Sequence, residues 1–473
     1  MNIMLFAPEL FLLLGALIVF LFSLSDDSNM VKNSALATGL GAVFLCASSL
    51  TRTGTLFMGT YQVDLFSQLF KLLISLGMAA VLIFGRELKD IEARIRPEYY
   101  LCLILSSLGL MMLVSSVDMI SIFVSLELSS FSLYLMLPMR DDQGGLRIQM
   151  EAAIKYMLFG VMATGIMLFG MSYLFGLTGT TNLVEIGAKL HNSMMKEPAA
   201  AVGIAMVLCV FMFKLAVFPF HFWISDAYEG AANETTSFLA TVPKIAGVAL
   251  LIRIVNLITP VDQLISFLAI MAVCSMFYGN LCALRQKDFK RMMAFSAVAH
   301  AGFVLLGILT FQQEGYATSI YYIMGYLVMN LACFLVICKV SKAGENVPIT
   351  SLSGLYKRSP LLAFTMGLSM FSLAGIPPFV GFMGEFLLLA GALKTGHLTV
   401  VILGAINAAI AIYYYLSVVK VTYCNQPEND EPLQVDLATK AVSLALIAAI
   451  IIMGVIPSSF LTLASNALQG LIG

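Results

Sequence analysis

Long apolar runs separated by short polar stretches follow one another along the whole chain. A helix needs about 20 apolar residues to cross the hydrocarbon core of a membrane. Most connections are short, so no soluble domain is inserted between the runs. The pattern predicts an all-α integral membrane protein with about 14 transmembrane helices, at 3–24, 33–51, 64–84, 99–117, 119–138, 152–177, 199–224, 234–256, 262–282, 292–311, 317–338, 361–394, 398–420 and 438–457.

The composition agrees with a membrane protein. Of the 473 residues, 60% are hydrophobic and only 11% are charged, whereas soluble domains average about 25% charged residues. The formal net charge of −1 leaves no basic excess for binding nucleic acid. The eight cysteines form no CxxC pair, and no metal or iron–sulfur spacing occurs. We therefore expect neither a metal site nor a bound cofactor in this chain.

The distribution of lysine and arginine predicts the orientation. The N-terminal segment lacks a basic region and a cleavage site, so we interpret it as the first span. With the N-terminus outside, 17 of the 26 basic residues fall in cytoplasmic loops and 5 on the outer side. Cytoplasmic loops carry an excess of lysine and arginine. Both termini are therefore predicted to lie outside.

Two of the apolar runs are longer than an ordinary span, and each contains proline. The run 199–224 could be a tilted span, whereas 361–394 exceeds any ordinary tilt. Pro219 lies in the run 199–224, and Pro377 and Pro378 lie in the run 361–394. Proline removes a helix hydrogen bond and clashes with the preceding turn. A membrane tolerates such a break only where protein or water satisfies the freed backbone groups. Both runs are therefore predicted to be broken helices.

The two broken runs also share a short motif. FKLAVFP at 213–219 and FSLAGIP at 371–377 have Phe, Leu, Ala and Pro at identical offsets. The runs are the seventh and twelfth, and an odd separation places them in opposite orientations. This pattern indicates an inverted repeat, whose functional sites lie near the broken helices.

Five ionisable residues lie inside the apolar runs. Glu127, Lys214, Lys244 and Glu385 are well inside, and Lys155 is nearer the cytoplasmic end of its run. A charge at the bilayer centre costs about 2.5–3.5 kcal/mol on the insertion scale. Such groups must pair, meet water or give up their charge. We interpret them as proton-transfer sites; the alternative for Glu127, Lys214 and Lys244 is a static ion pair.

Other charged groups near the span ends have simpler interpretations. Lys71 and Lys155 can extend their ammonium groups to the interface. Glu9 and Asp64 are expected to be solvated or helix-capping carboxylates.

Two histidines add to the intramembrane ionisable groups. His221 follows Lys214 by seven residues, nearly the same face of an unbroken helix, and His300 lies within a later run. Histidine titrates near physiological pH and can pass protons on. We interpret both as relay candidates; the alternative is a satisfied core histidine.

Five segments together carry a specific resemblance: EAAIKYMLFG, FKLAVFPFHFWISDAYEGA, TVPKIAGVALLIR, RQKDFKRMMAFSAVAHAGF and GIPPFVGFMGEF. In this order they resemble the antiporter-like membrane subunits of respiratory complex I, which are related to Mrp-type cation/proton antiporter subunits. The segments APELFLLLGALIVF, VDLFSQLFKLL and IYYYLSVVKVTY are most similar to the N-type subunits.

The resemblance implies a fold of fourteen helices with two inverted five-helix repeats and broken helices 7 and 12. The parts would be 1–98 with three helices, 99–256 and 257–420 with the two repeats, and 421–473 with the last helix. It implies proton translocation driven by quinone reduction in other subunits. Flavin, iron–sulfur clusters and quinone are expected in those partners, with no cofactor in this chain. The expected partners are neighbouring antiporter-like and small membrane subunits and lipids, in the cell inner membrane.

The resemblance also implies roles for individual residues. It makes Glu127 the carboxylate of helix 5, and Lys155, Lys214 and Lys244 the lysines of helices 6, 7 and 8. It makes His300 a central-axis histidine and Glu385 the exit group. N-type subunits are expected to read GKF where this chain has GEF.

Beyond Pro219, a group of four residues is expected to anchor the cytoplasmic end of the first break: Trp223, Asp226, Tyr228 and Glu229. An Mrp-type antiporter subunit or a membrane-bound hydrogenase subunit is the alternative function. A purely structural scaffold is disfavoured by the intramembrane lysines.

Overall fold

The computed structural model of the chain describes residues 3–24, 28–141, 145, 147–190, 198–258, 260–426 and 431–471. It is almost entirely helical. The helices are α1 Ala7–Ser23, α2 Ser28–Ser49, α3 Leu65–Phe84, α4 Arg96–Ser115, α5 Met119–Met136, α6 Ile148–Thr178, α7 Leu183–Leu190, α8 Pro198–Leu215, α9 Ile224–Gly230, α10 Asn233–Val255, α11 Asp262–Ala283, α12 Phe289–Ile308, α13 Gln313–Val340, α14 Leu355–Arg358, α15 Pro360–Leu373, α16 Val380–Lys394, α17 Leu398–Cys424, α18 Leu437–Val455 and α19 Pro457–Gln469.

Thirteen helical segments are long and apolar enough to cross a membrane within the described ranges, and α15 is a shorter apolar helix. The prediction of an all-α, multi-pass membrane protein is therefore confirmed. The short helices α7 and α14, a hairpin and α19 were not predicted. A short antiparallel hairpin, β1 Gly54–Leu56 and β2 Tyr61–Val63, precedes α3, and α19 packs against α13 and α3.

The centre of the bundle is α10, which is buried along its whole length. It packs against α3, α4, α8, α12 and α13. By contrast, α1, α2, α6, α17 and α18 present large apolar side chains outward, such as Phe44, Leu158 and Tyr413. Since lipid replaces water around these helices, apolar side chains cover the outside, and polar groups are expected between helices.

The first break occupies residues 216–223, between α8 and α9. Helix α8 ends at Leu215, four residues before Pro219, whose ring would clash with the Leu215 carbonyl in a continuous helix. The Ala216 N–H donates to the Phe213 carbonyl at 3.0 Å, and the Val217 N–H donates to the Met212 carbonyl at 2.9 Å. Ala216 is left-handed, with φ 60°. This arrangement is a Schellman motif, which satisfies the last carbonyls of the helix.

The second break occupies residues 374–379, between α15 and α16, and has the same motif. Here the left-handed residue is Gly375, with φ 66°. Its N–H bonds to the Ser372 carbonyl and the Ile376 N–H to the Phe371 carbonyl, both at 3.1 Å. Both predicted breaks are therefore confirmed, but Gly375, and not Ala374, corresponds to Ala216. The structural equivalence lies one residue later than the sequence offsets suggest, and the inverted orientation of the repeats stays a prediction.

The first three helices contain charged groups that the sequence placed at the water interface. Glu9 and Lys71 are both fully buried and form an ion pair at 2.7 Å. The predictions of a solvated Glu9 and an interfacial Lys71 are therefore wrong. Both side chains point into the bundle, where each neutralises the other. Asp64 does cap α3, accepting from the Ser67 N–H at 2.7 Å, and it also pairs with Arg253 at 3.1 Å.

Candidate functional site

Lys214 lies on the last turn of α8, directly before the first break, and its side chain is buried. Its ammonium group donates to the Ser130 hydroxyl of α5 at 2.9 Å. Glu127 lies one turn before Ser130 and accepts from the Thr164 hydroxyl of α6 at 2.8 Å. Residues three apart share a helix face, so the structure brings Lys214 to the face of α5 that carries Glu127.

The ion pairs of the described residues do not include Lys214, Lys244, Glu127 or Glu385. The static ion pair considered for the first three is therefore not formed. Lys214, Glu127 and Glu385 instead form hydrogen bonds with hydroxyl groups. A hydroxyl both donates and accepts, so it can support either protonation state of a neighbouring amine or carboxyl.

Lys155 occupies a different environment. Its ammonium group lies 2.6 Å from both Glu151 and Asp226, and its side chain is 39% exposed. Asp226 in turn pairs with Arg291 at 3.3 Å, and Arg291 also pairs with Glu229. The structure thus places Lys155 in a charged network near one end of α6, with no hydrogen bond or ion pair to Lys214 or Glu127 among the described residues.

Trp223 holds the first break together, as expected for an anchoring residue. Its indole N–H donates to the Phe213 carbonyl at 3.1 Å, which also accepts the Ala216 N–H at the end of α8. Its ring packs on Tyr156 and Phe213. Asp226 and Glu229 fix α9 to α6 and α12 through the ion pairs described above.

Lys244 lies at the middle of α10, the central helix. Its side chain is only 2% exposed, and its ammonium nitrogen has no hydrogen-bond partner in the described part of the chain. The nitrogen lies 5.9 Å from the ring centre of Tyr228 and 5.7 Å from that of Tyr326. A cation is attracted to the faces of aromatic rings at such distances. Lys244 is therefore a buried amine between two tyrosines.

His300 is the centre of a hydrogen-bonded network in the second half of the chain. Its Nδ1 lies 2.5 Å from the Tyr322 hydroxyl, and its Nε2 lies 2.9 Å from the Tyr415 hydroxyl. The Tyr322 hydroxyl also lies 3.5 Å from Glu385 Oε1. Tyr326, which faces Lys244, packs edge-on against the His300 ring at 5.5 Å. The structure thus connects His300 to Glu385 through one phenol group.

Glu385 lies on the second turn of α16 and is buried. Its side chain folds back onto the second break: a Cβ atom on Gly375 would lie 2.7 Å from Glu385 Oε2. The absence of a side chain at Gly375 therefore makes room for the carboxylate.

His221 lies inside the first break, among aromatic rings. Its ring centre is 4.1 Å from that of Tyr278 and 4.6 Å from that of Phe222. Neither ring nitrogen has a hydrogen-bond partner in the described ranges. The structure therefore does not link His221 to Lys214, although the two are seven residues apart.

Sequence reasoning missed the hydroxyl groups that connect the charged residues. Ser130 and Thr164 contact the first group, and the Tyr322 and Tyr415 hydroxyls contact the second. Tyr326 contributes its ring, which faces Lys244. A signal was available for the tyrosines on α13, since Tyr322 and Tyr326 are four residues apart and share one face. No group of three or more histidine, cysteine, aspartate or glutamate side chains arranged for a metal occurs among the described residues.

Comparison with known proteins agrees with the family resemblance of the sequence. The profile of the family described as NADH:quinone oxidoreductase/Mrp antiporter, TM, matches residues 116–411. The chain is 46% identical over 466 residues to NADH-quinone oxidoreductase subunit N 2 of Opitutus terrae, covering 98% of this chain and 97% of that one. It is 41% identical to the protein of the same name from Syntrophobacter fumaroxidans, with both chains fully covered.

Solved structures agree. A chain of respiratory complex I from Thermus thermophilus is 28% identical, with a TM-score of 0.84 over 97% of this chain and 99% of that chain. A chain of the Mrp complex from a Dietzia species has a TM-score of 0.88 at 20% identity, covering both chains fully, and shows the same fold. The chain belongs to the NADH:quinone oxidoreductase/Mrp antiporter membrane family, and the two curated relatives named above, which it matches over nearly the full length, are N subunits of NADH-quinone oxidoreductase.

Proposed function

We propose that this chain is a proton-translocating membrane subunit of an NADH:quinone oxidoreductase complex. Quinone reduction in other subunits drives the transfer, and this subunit has no redox centre of its own. Flavin, iron–sulfur clusters and quinone belong to its partners, which include neighbouring antiporter-like membrane subunits. The chain lies in the cell inner membrane with both termini on the outer side, and its two five-helix parts, 99–256 and 257–420, are inverted repeats.

The observation that carries the proposal is the environment of Lys244. An ammonium group without a hydrogen-bond partner is costly to bury, and burial favours the neutral amine over the charged form. Lys244 is buried at the centre of α10, between Tyr228 and Tyr326. A lysine in such a place can accept and release a proton as neighbouring charges move.

The other groups form two parts on either side of Lys244. Glu127, Ser130 and Lys214 form one part, in which the Lys214 proton is held by a hydroxyl and not by a carboxylate. His300, Tyr322 and Glu385 form the other part, in which the phenol group can pass a proton between imidazole and carboxylate. Lys214 and Lys244 lie on packed helices, since Gly247 on α10 faces the Lys214 side chain. Protons move through Lys244 from one part to the other.

Lys155 and His221 take secondary roles. Lys155 controls the position of Asp226 and α9, and thereby the first break, through the charged network. His221 joins the relay only when the break rearranges, since its present neighbours are aromatic rings.

The test is proton pumping by the purified complex in liposomes. Lys244→Met and Lys214→Met are expected to lower proton translocation sharply at equal assembly. Lys394→Met is the matched control, because Lys394 is exposed at the end of α16 and its ion-pair partner among the described residues is the exposed Glu314. Wild-type pumping by an assembled Lys244→Met complex would contradict the proposal.

The same preparation distinguishes the alternative function. Co-purification with flavin and iron–sulfur subunits and activity with quinone support the complex I subunit. Their absence, together with sodium-dependent proton exchange, supports an Mrp-type antiporter subunit.

A further inference from the structure

Helix α10 carries a polar face that runs from Lys244 toward one membrane surface only. Glu234, Ser237 and Thr241 precede Lys244 at spacings of three, four and three residues. At 100° per residue these four side chains lie within about 80° of one another, over about 15 Å of helix. That length is about half of the hydrocarbon thickness of a bilayer. Beyond Lys244 the same face is apolar, with Val248, Ile252 and Val255.

Several groups along this face lack partners. Glu234 is only 4% exposed, and Ser237 is fully buried. Glu234 Oε2 and the Ser237 hydroxyl have no hydrogen-bond partner in the part of the chain that the structure describes, and neither does the nearby Tyr99 hydroxyl of α4. Polar side chains that only hold helices together are hydrogen-bonded across the interface. Groups left without protein partners are the ones that buried water molecules bind.

The fold makes space for the Glu234 side chain. Gly85, at the end of α3, lies against it: a Cβ atom there would approach Glu234 Cγ to 2.5 Å. Glu234 begins the first turn of α10, and its neighbour Ala231 accepts a hydrogen bond from Lys290 of α12 at 2.7 Å. The carboxylate is thus at the boundary between the polar face and the loops at that membrane surface.

A cluster of charges connects Glu234 with the surface. Asp90 and Lys290 are its charged neighbours, and Asp90 pairs with Arg140 at 3.0 Å. Burial raises the pKa of the Asp90 carboxyl, and Lys290 and Arg140 oppose that shift. The Lys89 ammonium group also attracts the Glu234 carboxylate electrostatically, and the Lys89 side chain is partly exposed at the surface. Charged groups therefore continue from the surface to the start of the polar face.

We propose that the polar face of α10, formed by Glu234, Ser237 and Thr241, is a proton-access path between Lys244 and the membrane surface at which the partly exposed Lys89 lies. The buried Glu234 carboxylate accepts a proton from water that enters from that surface between the charged side chains of Lys89 and Asp90. The proton then moves along water molecules bound by the Ser237 and Thr241 hydroxyls to the neutral Lys244 amine. Glu234 returns to a carboxylate, and Lys244 becomes an ammonium ion. This path rests on the proposed function, in which Lys244 exchanges protons.

The experiment measures proton translocation by the whole complex reconstituted in liposomes, with the subunit composition of the purified complex as the check on assembly. Glu234→Gln keeps the size of the side chain and removes the proton-accepting group. We expect it to lower proton translocation by about tenfold or more, since a positioned acid or base contributes at least that much to proton transfer. Glu234→Asp is expected to retain most of the activity. The matched control is Glu98→Gln, which removes an exposed carboxylate in the first turn of α4.

Each result has a definite meaning. Wild-type translocation by Glu234→Gln overturns the path, and so does an equal loss in Glu234→Asp, because that result indicates a structural role for the side chain. Lys244→Met separates the path from the proposed function. If Lys244→Met stops translocation while Glu234→Gln does not, only the path fails. If Lys244→Met pumps normally, the proposed function fails as well.

Discussion

The ammonium nitrogen of Lys71 on α3 lies 2.7 Å from the Glu9 carboxylate on α1, and neither side chain is exposed. The Tyr61 hydroxyl of β2 donates to the same carboxylate oxygen at 2.7 Å, and the Lys71 nitrogen lies 5.1 Å from the Tyr61 ring centre. One carboxylate therefore connects the first helix, the hairpin and the third helix. The pair lies on helices that contain none of the proposed proton-transfer groups, so we assign it a role in stability.

This assignment predicts a strong dependence of stability on both partners. Removing one member of a buried ion pair leaves an uncompensated charge and typically costs about 3–5 kcal/mol. Lys71→Met alone and Glu9→Gln alone should therefore each destabilise the folded subunit strongly. The double variant Glu9→Gln with Lys71→Met should be more stable than the sum of the two effects predicts. Thermal unfolding of the purified complex in detergent measures this, and additive effects would show that the two residues are not coupled.

The environment of Glu385 predicts how its variants behave. Its carboxylate is buried, and its hydrogen-bond partner is the Tyr322 hydroxyl, which also contacts His300. Glu385→Gln should impair proton translocation, because an amide cannot release and regain a proton. Glu385→Lys should not restore it fully, since a lysine has the opposite charge when protonated and the site is matched to an acid.

Tyr322→Phe tests the connection between His300 and Glu385 directly. It removes one hydroxyl and leaves the ring, so packing is retained. We expect proton translocation to fall, while Tyr316→Phe, on the same helix, serves as the matched control because it lies outside the His300 network. Equal translocation by both variants would exclude Tyr322 from the route.

Features that depend on the local sequence could be predicted, whereas contacts between distant helices could not. The breaks were predictable because Pro219 and the Pro377–Pro378 pair act on the local backbone. The charged residues inside the runs were noticeable because such groups are rare there. The partners of those residues were not predictable, because Ser130, Tyr322 and Tyr415 come close to them only through the packing of distant helices. Glu9 and Lys71 were misplaced for the same reason: position along a span does not say which way a side chain points.

The orientation of the chain predicts how two introduced cysteines react. Arg94 lies before α4 and Lys189 lies after α6, and both are exposed. Three membrane-crossing helices separate them, so the two positions should lie on opposite surfaces. Arg94→Cys should react with an impermeant thiol reagent from the cytoplasmic side, and Lys189→Cys from the outer side. The exposed native Cys424 is first replaced by serine. The reverse labelling would invert the predicted orientation.

The two Schellman motifs predict opposite effects at equivalent positions. Gly375 and Ala216 both adopt left-handed backbone conformations, which favour glycine. A Cβ atom at Gly375 would in addition lie 2.7 Å from Glu385 Oε2. Gly375→Ala should therefore strain the backbone by about 1–2 kcal/mol and displace the Glu385 carboxylate, so that proton translocation falls together with stability. Ala216→Gly relieves backbone strain and removes only one methyl group, so it should leave translocation unchanged. Measuring both variants at equal assembly separates the effect on Glu385 from a general effect of the breaks, and normal translocation by Gly375→Ala would mean that the position of this carboxylate is not critical.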